Sequence, residues 1–444
     1  MNLSKKFFFS ICLLISILLF FYTFYKSELY WHGTQRDYYL TYYLISGFLI
    51  LFFVIIFYLS DIVKTYLIIA LVSVVFVLYA FETYLVLQML NKEKKQLNEK
   101  IELYKKQTGK EYDTRSKIEI FNDLNNKYKN VVTPVPPSFL INVNKNLLPL
   151  SGISNSKTIN CNENGYYSIY QSDRYGFNNP DSEWNEPEIE YLLLGDSFAH
   201  GDCVNQPNDM GSVLRKLSKK PVINLAYKNN GTLIEYAVLR EYLRPNVKNV
   251  LWIYYEGNDI FDLGRELKSE ILIKYLKDLN FSQNLKSKQN QIDEMATIKM
   301  INDEKEQKRK KSYSFKLLTS IKISNLRKLF SQPKSYLQPQ PQFKEILKFA
   351  KDLAFKNNSK FYFIFLPTNS RYETHNSTDF FNSPYVSVKK IVNELNIPLI
   401  DIHEMVFLKE SDPLKLFPFK MSGKHYNVEG YKKITEAIYK FTSK

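Results

Sequence analysis

The sequence predicts apolar membrane helices followed by a three-layer α/β/α domain built on a parallel five-stranded sheet. Three observations lead to this class. Apolar runs long enough to cross a bilayer are confined to residues 1–90. Five shorter apolar runs then alternate with amphipathic stretches along the C-terminal part, a pattern that requires parallel strands with helices on both faces. Most of these runs end in a polar cluster, and strand ends of that kind share one edge of an open sheet.

The first elements are the spans. Lys5 and Lys6 precede Phe7 to Tyr25, a run of about 19 residues and near the minimum length for a crossing. Two further runs, about 39–59 and 66–87, are also long enough. No small-residue cleavage site follows Tyr25, where Lys26 to Trp31 stand, so the first run is expected to be retained as a span. The cost of burying Glu82 places it near the far end of the third span or against another helix. An odd number of crossings separates the N-terminus from residues 91–444. Lys5 and Lys6 favour a cytoplasmic start, which predicts a multi-pass protein whose large domain is extracytoplasmic, that is, periplasmic. Lys92, Lys94, Lys95 and Lys100 oppose that orientation. They are discounted in part because the chain is basic throughout, with 60 Lys and Arg against 45 Asp and Glu and a formal charge of +15.

Residues 91–137 read as a charged helical stalk and linker. Ile118, Phe121, Leu124 and Tyr128 form an apolar stripe at helical spacing, and Val132 to Pro137 break it. Residues 138–444 are the expected α/β domain. Its first part, 138–185, alternates in short strands or hairpins. Strands are then expected near 189–194, 222–226, 249–255, 359–366 and 396–402, with helices near 208–218, 231–244, 342–356, 384–395 and 428–442. The segment 264–338 is a charged, helical insertion containing Lys308-Arg309-Lys310-Lys311. Such a run is usually a solvated face; its functional reading is contact with anionic headgroups or acidic glycans. No recognition motif accompanies the charge, so nucleic acid is not an expected partner.

The chemistry is carried by polar clusters at the strand ends. Leu192-Leu193-Leu194 stops at Gly195-Asp196-Ser197-Phe198, where a tight turn leads into a helix. Serine at that place is either a helix cap or a nucleophile lifted above the sheet edge. The second run leads into Ala226-Tyr227-Lys228-Asn229-Asn230-Gly231, rich in residues that tolerate positive φ. The third ends at Glu256-Gly257-Asn258-Asp259. His425 stands in Gly423-Lys424-His425-Tyr426-Asn427, just before the last helix. A shared sheet edge lets Ser197, Asn229, Asn258 and His425 converge.

With these blocks in this order, residues 165–444 resemble the SGNH (GDSL-like) hydrolase superfamily. The resemblance implies a flavodoxin-like fold, with Ser197 as nucleophile and His425 as its base. It implies an oxyanion hole made by the Ser197 N–H, a backbone N–H of the second loop and the side-chain amide of Asn258. Asn229 falls where the family carries glycine, and Gly231 stands two places on; asparagine is the best non-glycine substitute for a left-handed position. Asp173 to Asn178 resembles the lead-in of membrane-associated members acting on cell-envelope glycans. One departure concerns the acid. The family's aspartate three residues before the histidine is replaced by Ser422. A carbonyl or another carboxylate (Asp401, Asp412 or Glu429) must orient His425, or the site works as a Ser–His dyad, or it has little or no activity.

Of three cysteines, Cys12 lies in the first span. Cys161, within Asn160-Cys161-Asn162-Glu163-Asn164, and Cys203, six residues beyond Ser197, remain. They are either unrelated thiols or, as an isolated pair in an exported domain, a disulfide tying the N-terminal extension to the nucleophile loop. Arg371 and Tyr372 are expected near the sheet edge, within reach of substrate or on the surface. His200 and His403 are assigned structural roles, with His403 close enough to touch the site. No ligand spacing points to a metal, and no cofactor is expected. The expected function is a membrane-anchored serine esterase acting on O-acyl groups, acetyl foremost, of an envelope or exported glycan. Its expected partners are that ester substrate, the lipid bilayer and an envelope polysaccharide machinery. An O-acetyltransferase uses the same groups. The missing aspartate also allows a non-catalytic glycan-binding or assembly protein.

Overall fold

The computed structural model describes residues 2–30, 33, 36–310, 322–329, 338–373, 384–421 and 424–443. Two compact units emerge, one of residues 1–92 with 316–331, the other of residues 93–315 with 332–444. In the first unit, helix α1 (Asn2–Phe24) continues as a π-helical turn to Tyr30 and is followed by α2 (Arg36–Ile56). Helix α3 (Asp61–Thr108) begins in this unit and runs unbroken through the segment expected to start a separate stalk. All three are long and apolar enough to cross a membrane. Phe9, Phe53 and Ile56 pack together with Leu67 and Ile68, but most large apolar side chains of these helices point outward. Such surface is stable only against lipid or another apolar partner.

The second unit continues with α4 (Lys117–Asn125), whose start is a capping box between Ser116 and Glu119. A small sheet follows: β1 (Val131–Val132) pairs parallel with β2 (Lys157–Ile159), which pairs antiparallel with β3 (Ile169–Gln171). The main domain then alternates β4 (Ile189–Gly195), α5 (Ser197–His200), α6 (Met210–Ser218), β5 (Val222–Asn224), α7 (Thr232–Tyr242) and β6 (Val247–Tyr255). Within the expected insertion come α8 (Asp259–Glu266, which starts ahead of it), α9 (Glu270–Lys277), α10 (Gln289–Lys310) and α11 (Ser324–Leu329). Lys311 of the basic run lies outside the described residues. The domain ends with α12 (Pro341–Lys356), β7 (Lys360–Leu366), α13 (Tyr385–Glu394), β8 (Leu399–Asp401), α14 (Ile402–Met405) and α15 (Val428–Thr442).

The five long-range strands pair entirely in parallel in the order β5-β4-β6-β7-β8. This is the flavodoxin-like order, with its switch point at β4. Alternation along each strand builds two cores. Leu192, Leu194, Trp252, Tyr254, Phe363 and Phe365 face α7, α12 and α13. Tyr191, Leu193, Leu251, Ile253, Ile364 and Leu366 face α6 and α15. The fold class is therefore the expected one, and each predicted strand and helix of the sheet domain lies within three residues of its expected bounds.

Glu82 is buried, and within the first unit it meets a helix end. Its carboxylate accepts from the Asn325 N–H (3.0 Å), the Asn325 amide (2.8 Å) and the Leu326 N–H (2.7 Å) at the start of α11. A segment of the insertion thus supplies the partner that Glu82, the one acidic residue of the apolar run 66–87, requires.

Candidate active site

Ser197 stands immediately beyond β4, at the switch point. Gly195, the last residue of the strand, has φ +150°, and a Cβ there would meet the Ile253 carbonyl at 2.8 Å and the Ala199 side chain at 2.6 Å. Only glycine lets β4 approach β6 this closely at the Ser197 turn. Asp196 caps α5 by accepting from the Phe198 N–H at 2.8 Å, and Gly201 closes the short helix in the left-handed region. The buried Asp173 braces the turn from outside, accepting from the Trp184 indole (2.7 Å), the Asn179 amide (2.9 Å) and the Tyr175 and Phe177 N–H groups (2.8 and 3.0 Å). Asn179 in turn exchanges hydrogen bonds with the Asn224 backbone, and the Asn224 amide donates to the Ala199 carbonyl. The Asp173–Asn178 lead-in is thereby a scaffold under the serine.

His425 Nε2 lies 2.8 Å from Ser197 Oγ. The ring packs against Phe198 (centroids 4.7 Å), which stacks on Tyr255 at 3.6 Å. On the other side, Glu163 Oε2 lies 3.2 Å from His425 Nδ1 and accepts from the His425 backbone N–H at 2.8 Å. Burial works to lower the imidazole pKa and to raise the carboxyl. Their hydrogen bond and opposite charges prevail at both groups, so His425 stands above its ordinary value and Glu163 below. Asp202 is a second anion, 3.9 Å from Nε2, and is itself held by Lys228 (2.8 Å), His200 (2.8 Å) and the Asn160 amide (2.7 Å).

The acid partner of His425 is thus Glu163, which corrects the sequence-based candidates. Asp401 binds Lys389 and Tyr385. Asp412 pairs with Lys420, and Glu429 with Lys433. Ser422 lies outside the described residues. Glu163 belongs to the loop between β2 and β3, 262 residues before its histidine, so the family's local spacing gave no hint of it. The available signal was its position two residues after Cys161. Cys161 and Cys203 are disulfide-bonded, and that strap ties the Glu163 loop to the loop that follows Ser197.

Among the described residues, one group of potential ligands has metal-like spacing, namely Glu163, Cys203 and His425. Its sulfur is part of the disulfide and offers no thiolate, and its histidine engages Ser197 and Glu163, so these residues do not fit a metal.

Asn229 follows β5 with φ 56°, and its N–H has no acceptor among the described residues. Gly231 is needed two places on, since a Cβ there would meet the Asp262 side chain and the Leu263 N–H, each at 2.8 Å. Asn258 begins α8 after β6, and its amide nitrogen donates to Asp262 Oδ2 at 2.7 Å. Behind these loops lies a cluster of buried carboxyls that the sequence reading missed: Asp196, Glu235, Asp259, Asp262 and Glu266. Burial pushes Asp196 up to about 7, and Glu266 up to about 8 against three backbone N–H donors; Glu235 and Asp259 also stand well above the usual range. Arg371 is not a surface residue. Its side chain is largely covered and pairs with Glu256 across the ends of β6 and β7. The Tyr372 hydroxyl contacts His403 Nδ1 at 2.8 Å.

No family model and no curated protein matches this chain. Solved structures similar to it include a Desulfitobacterium hafniense protein described as lipolytic and of the G-D-S-L family (16% identity, 57% of this chain, 99% of that chain, TM-score 0.31). Another is a carbohydrate esterase family 2 enzyme with a carbohydrate-binding domain from Corynascus thermopiles (10% identity, 58% and 66% covered, TM-score 0.32). A third is the psychrotrophic esterase EstA from Pseudoalteromonas sp. (12% identity, 57% and 96% covered, TM-score 0.26). Strand order and the position of Ser197 at the switch point give the chain the fold that its resemblance to the SGNH hydrolases implied.

Proposed function

We propose that the protein is a membrane-anchored serine esterase that removes O-acyl groups, acetyl foremost, from an envelope or exported glycan. The observation that carries this reading is the continuous chain Ser197 Oγ, His425 Nε2, His425 Nδ1, Glu163 Oε2, with contacts of 2.8 and 3.2 Å. His425 takes the Ser197 proton as Oγ attacks the acyl carbonyl carbon. The oxyanion is met by the Ser197 and Asn229 N–H groups and by the second amide hydrogen of Asn258, the first being held by Asp262. Collapse of the intermediate breaks the ester C–O bond, and His425 returns the proton to the departing sugar oxygen. Water, deprotonated by the same imidazole, then attacks the acyl-enzyme and releases the carboxylic acid and free serine. If a sugar hydroxyl replaces water, the same groups perform O-acetyl transfer. Glu163 at Nδ1 supports this reading over the non-catalytic one, which rested on the missing aspartate.

An extracytoplasmic site is part of the proposal. A disulfide beside the nucleophile belongs in an oxidising compartment, which sides with Lys5 and Lys6 over the lysines after the third span. The test uses the full chain in detergent, with an activated acetyl ester and a serine-reactive phosphonate, beside Ser197→Ala and His425→Ala. Turnover and labelling should vanish in Ser197→Ala and turnover in His425→Ala. Native turnover no higher than that of the variants, or labelling that survives in Ser197→Ala, would overturn the reading.

A further inference from the structure

A surface cavity of about 670 Å³ opens in the second unit between the C-terminal end of α3, the loop carrying Glu163 and the turn before α15. That volume is within the range of small-molecule sites. Its wall combines the rings of Tyr104, Tyr166 and Phe419 with the amides of Gln107, Asn164 and Asn205. Asn164 directly follows Glu163, so the cavity adjoins the acid side of the histidine rather than the serine side.

Three features make this more than a crevice. The first is unspent polar capacity. Gln107 has no side-chain partner among the described residues. Asn205 uses only its oxygen, accepting from the Ile169 N–H at 2.8 Å, and Asn164 uses only its nitrogen, donating to the Cys203 carbonyl at 2.9 Å. An amide donor, an amide acceptor and a complete amide thus remain along one wall. The second is backbone strain. Phe419 and Lys420 have φ 54° and 55°, two consecutive non-glycine residues in the left-handed region. A bulky residue there is a costly outlier, and such outliers persist where the placement of a side chain is needed. The third is how the rings are seated. Phe419 lies 6.3 Å from Tyr112, which lies 5.8 Å from Tyr104. The Tyr104 ring rests on Gly165 so closely that a Cβ there would meet it at 2.4 Å. Rigid aromatic faces beside uncommitted amides are complementary to pyranose rings, which present C–H groups on their faces and hydroxyls around their edges.

We propose that this cavity is a sugar-binding subsite that holds part of the glycan chain beyond the residue bearing the ester. It rests on the esterase reading only for what happens at Ser197; binding of the sugar does not require turnover. Ser197→Ala full-length protein in detergent would be titrated calorimetrically with three oligosaccharide classes: N-acetylated glucosamine chains, xylan chains and uronate chains. At least one should bind, and Phe419→Ala and the exposed Gln107→Ala, each in that background, should weaken it about tenfold, the loss of one stacking contact or one pair of hydrogen bonds. Gln107→Ala guards against misfolding of the strained loop. No binding at millimolar concentrations, or binding indifferent to both substitutions, overturns the subsite. Turnover of an activated acetyl ester is read separately: turnover with indifferent sugar binding refutes the cavity and keeps the esterase, whereas Phe419-dependent binding without turnover does the reverse.

Discussion

Replacing Glu163 by glutamine tests whether the distant carboxylate completes the catalytic group. Glutamine retains an oxygen to accept from the His425 backbone N–H, so the loop has reason to stay in place. The same oxygen position, Oε2, also lies 3.2 Å from Nδ1, so it can still accept an Nδ1 proton and leave Nε2 free as the base. What is lost is the charge. At the 3.2 Å separation of Nδ1 and Oε2, a carboxylate stabilises the imidazolium by about 5 kcal/mol at an effective dielectric near 20, equivalent to more than three decades in rate. Asp202, 3.9 Å from Nε2, retains part of that stabilisation, so the expected fall in kcat is about a thousandfold. The assay is steady-state hydrolysis of an activated acetyl ester, normalised by phosphonate titration of Ser197. The pH profile gives an independent reading. The base works in its neutral form, and Glu163 raises the pKa of His425, so the native activity should rise through a limb above about 6.5. Without the carboxylate, burial dominates and the limb should move down. A loss below about tenfold with an unmoved limb would refute the role of Glu163.

Other outcomes follow from the same geometry. Reducing the Cys161–Cys203 bridge should lower the activity of the native chain but cost Glu163→Gln little more, since both act on the same support of His425; melting should show a stability loss on the order of 4 kcal/mol for a 42-residue separation. Ser422→Asp should give no gain in kcat, because His425 Nδ1 already has a carboxylate; a large gain would show that Glu163 is ineffective. Asp173→Asn should destabilise the protein by about 3 kcal/mol in denaturant melts, because an amide nitrogen would face donors that now share a carboxylate. Asp196 keeps its proton up to about 7 in the folded chain but ionises near 3.8 when unfolded, so the folded state binds more protons between these values. Thermal stability should therefore fall as pH rises from about 4 to 7, and Asp196→Asn, which keeps the cap oxygen, should flatten that slope.

What was legible in the sequence was whatever a local pattern dictates. The strands were readable because fully buried parallel strands are short apolar runs, and Leu192 to Leu194 or Val250 to Tyr255 have no other stable environment. Asn229 was readable because a left-handed turn narrows the choice of residue. Glu163 was illegible for the opposite reason. Nothing in Asn162-Glu163-Asn164 differs from an ordinary polar loop, and its meaning arises only when the small sheet and the disulfide carry it across to α15. The buried carboxyls were hidden likewise: Glu235 and Glu266 occupy helix positions where acidic residues are normally solvated, and their burial follows from how α7 and α8 pack. Arg371 stayed open between substrate contact and surface for the same reason, since its partner Glu256 lies 115 residues away in sequence.

The displaced acid also ties the chemistry to the compartment. An aspartate three residues before the histidine would be positioned by its own turn and would work wherever the domain folds. Glu163 instead comes from a loop of a three-stranded sheet whose two pairings involve only two and three residue pairs. Sheets this small supply little stability of their own. Two polar contacts, Asn160 to Asp202 and Asn164 to the Cys203 carbonyl, help to hold the loop against the nucleophile loop, but each is worth only about 1–2 kcal/mol. The disulfide lies between them in the chain, at Cys161. Removing it leaves the carboxylate dependent on contacts no stronger than thermal opening of a surface loop can overcome. A Ser–His pair whose acid is held in this way is therefore expected to be fully competent only where the bridge forms. Expression of the same chain in a reducing and an oxidising compartment should then yield equal phosphonate-reactive protein per fold but unequal turnover, and equal turnover would separate the acid from its strap.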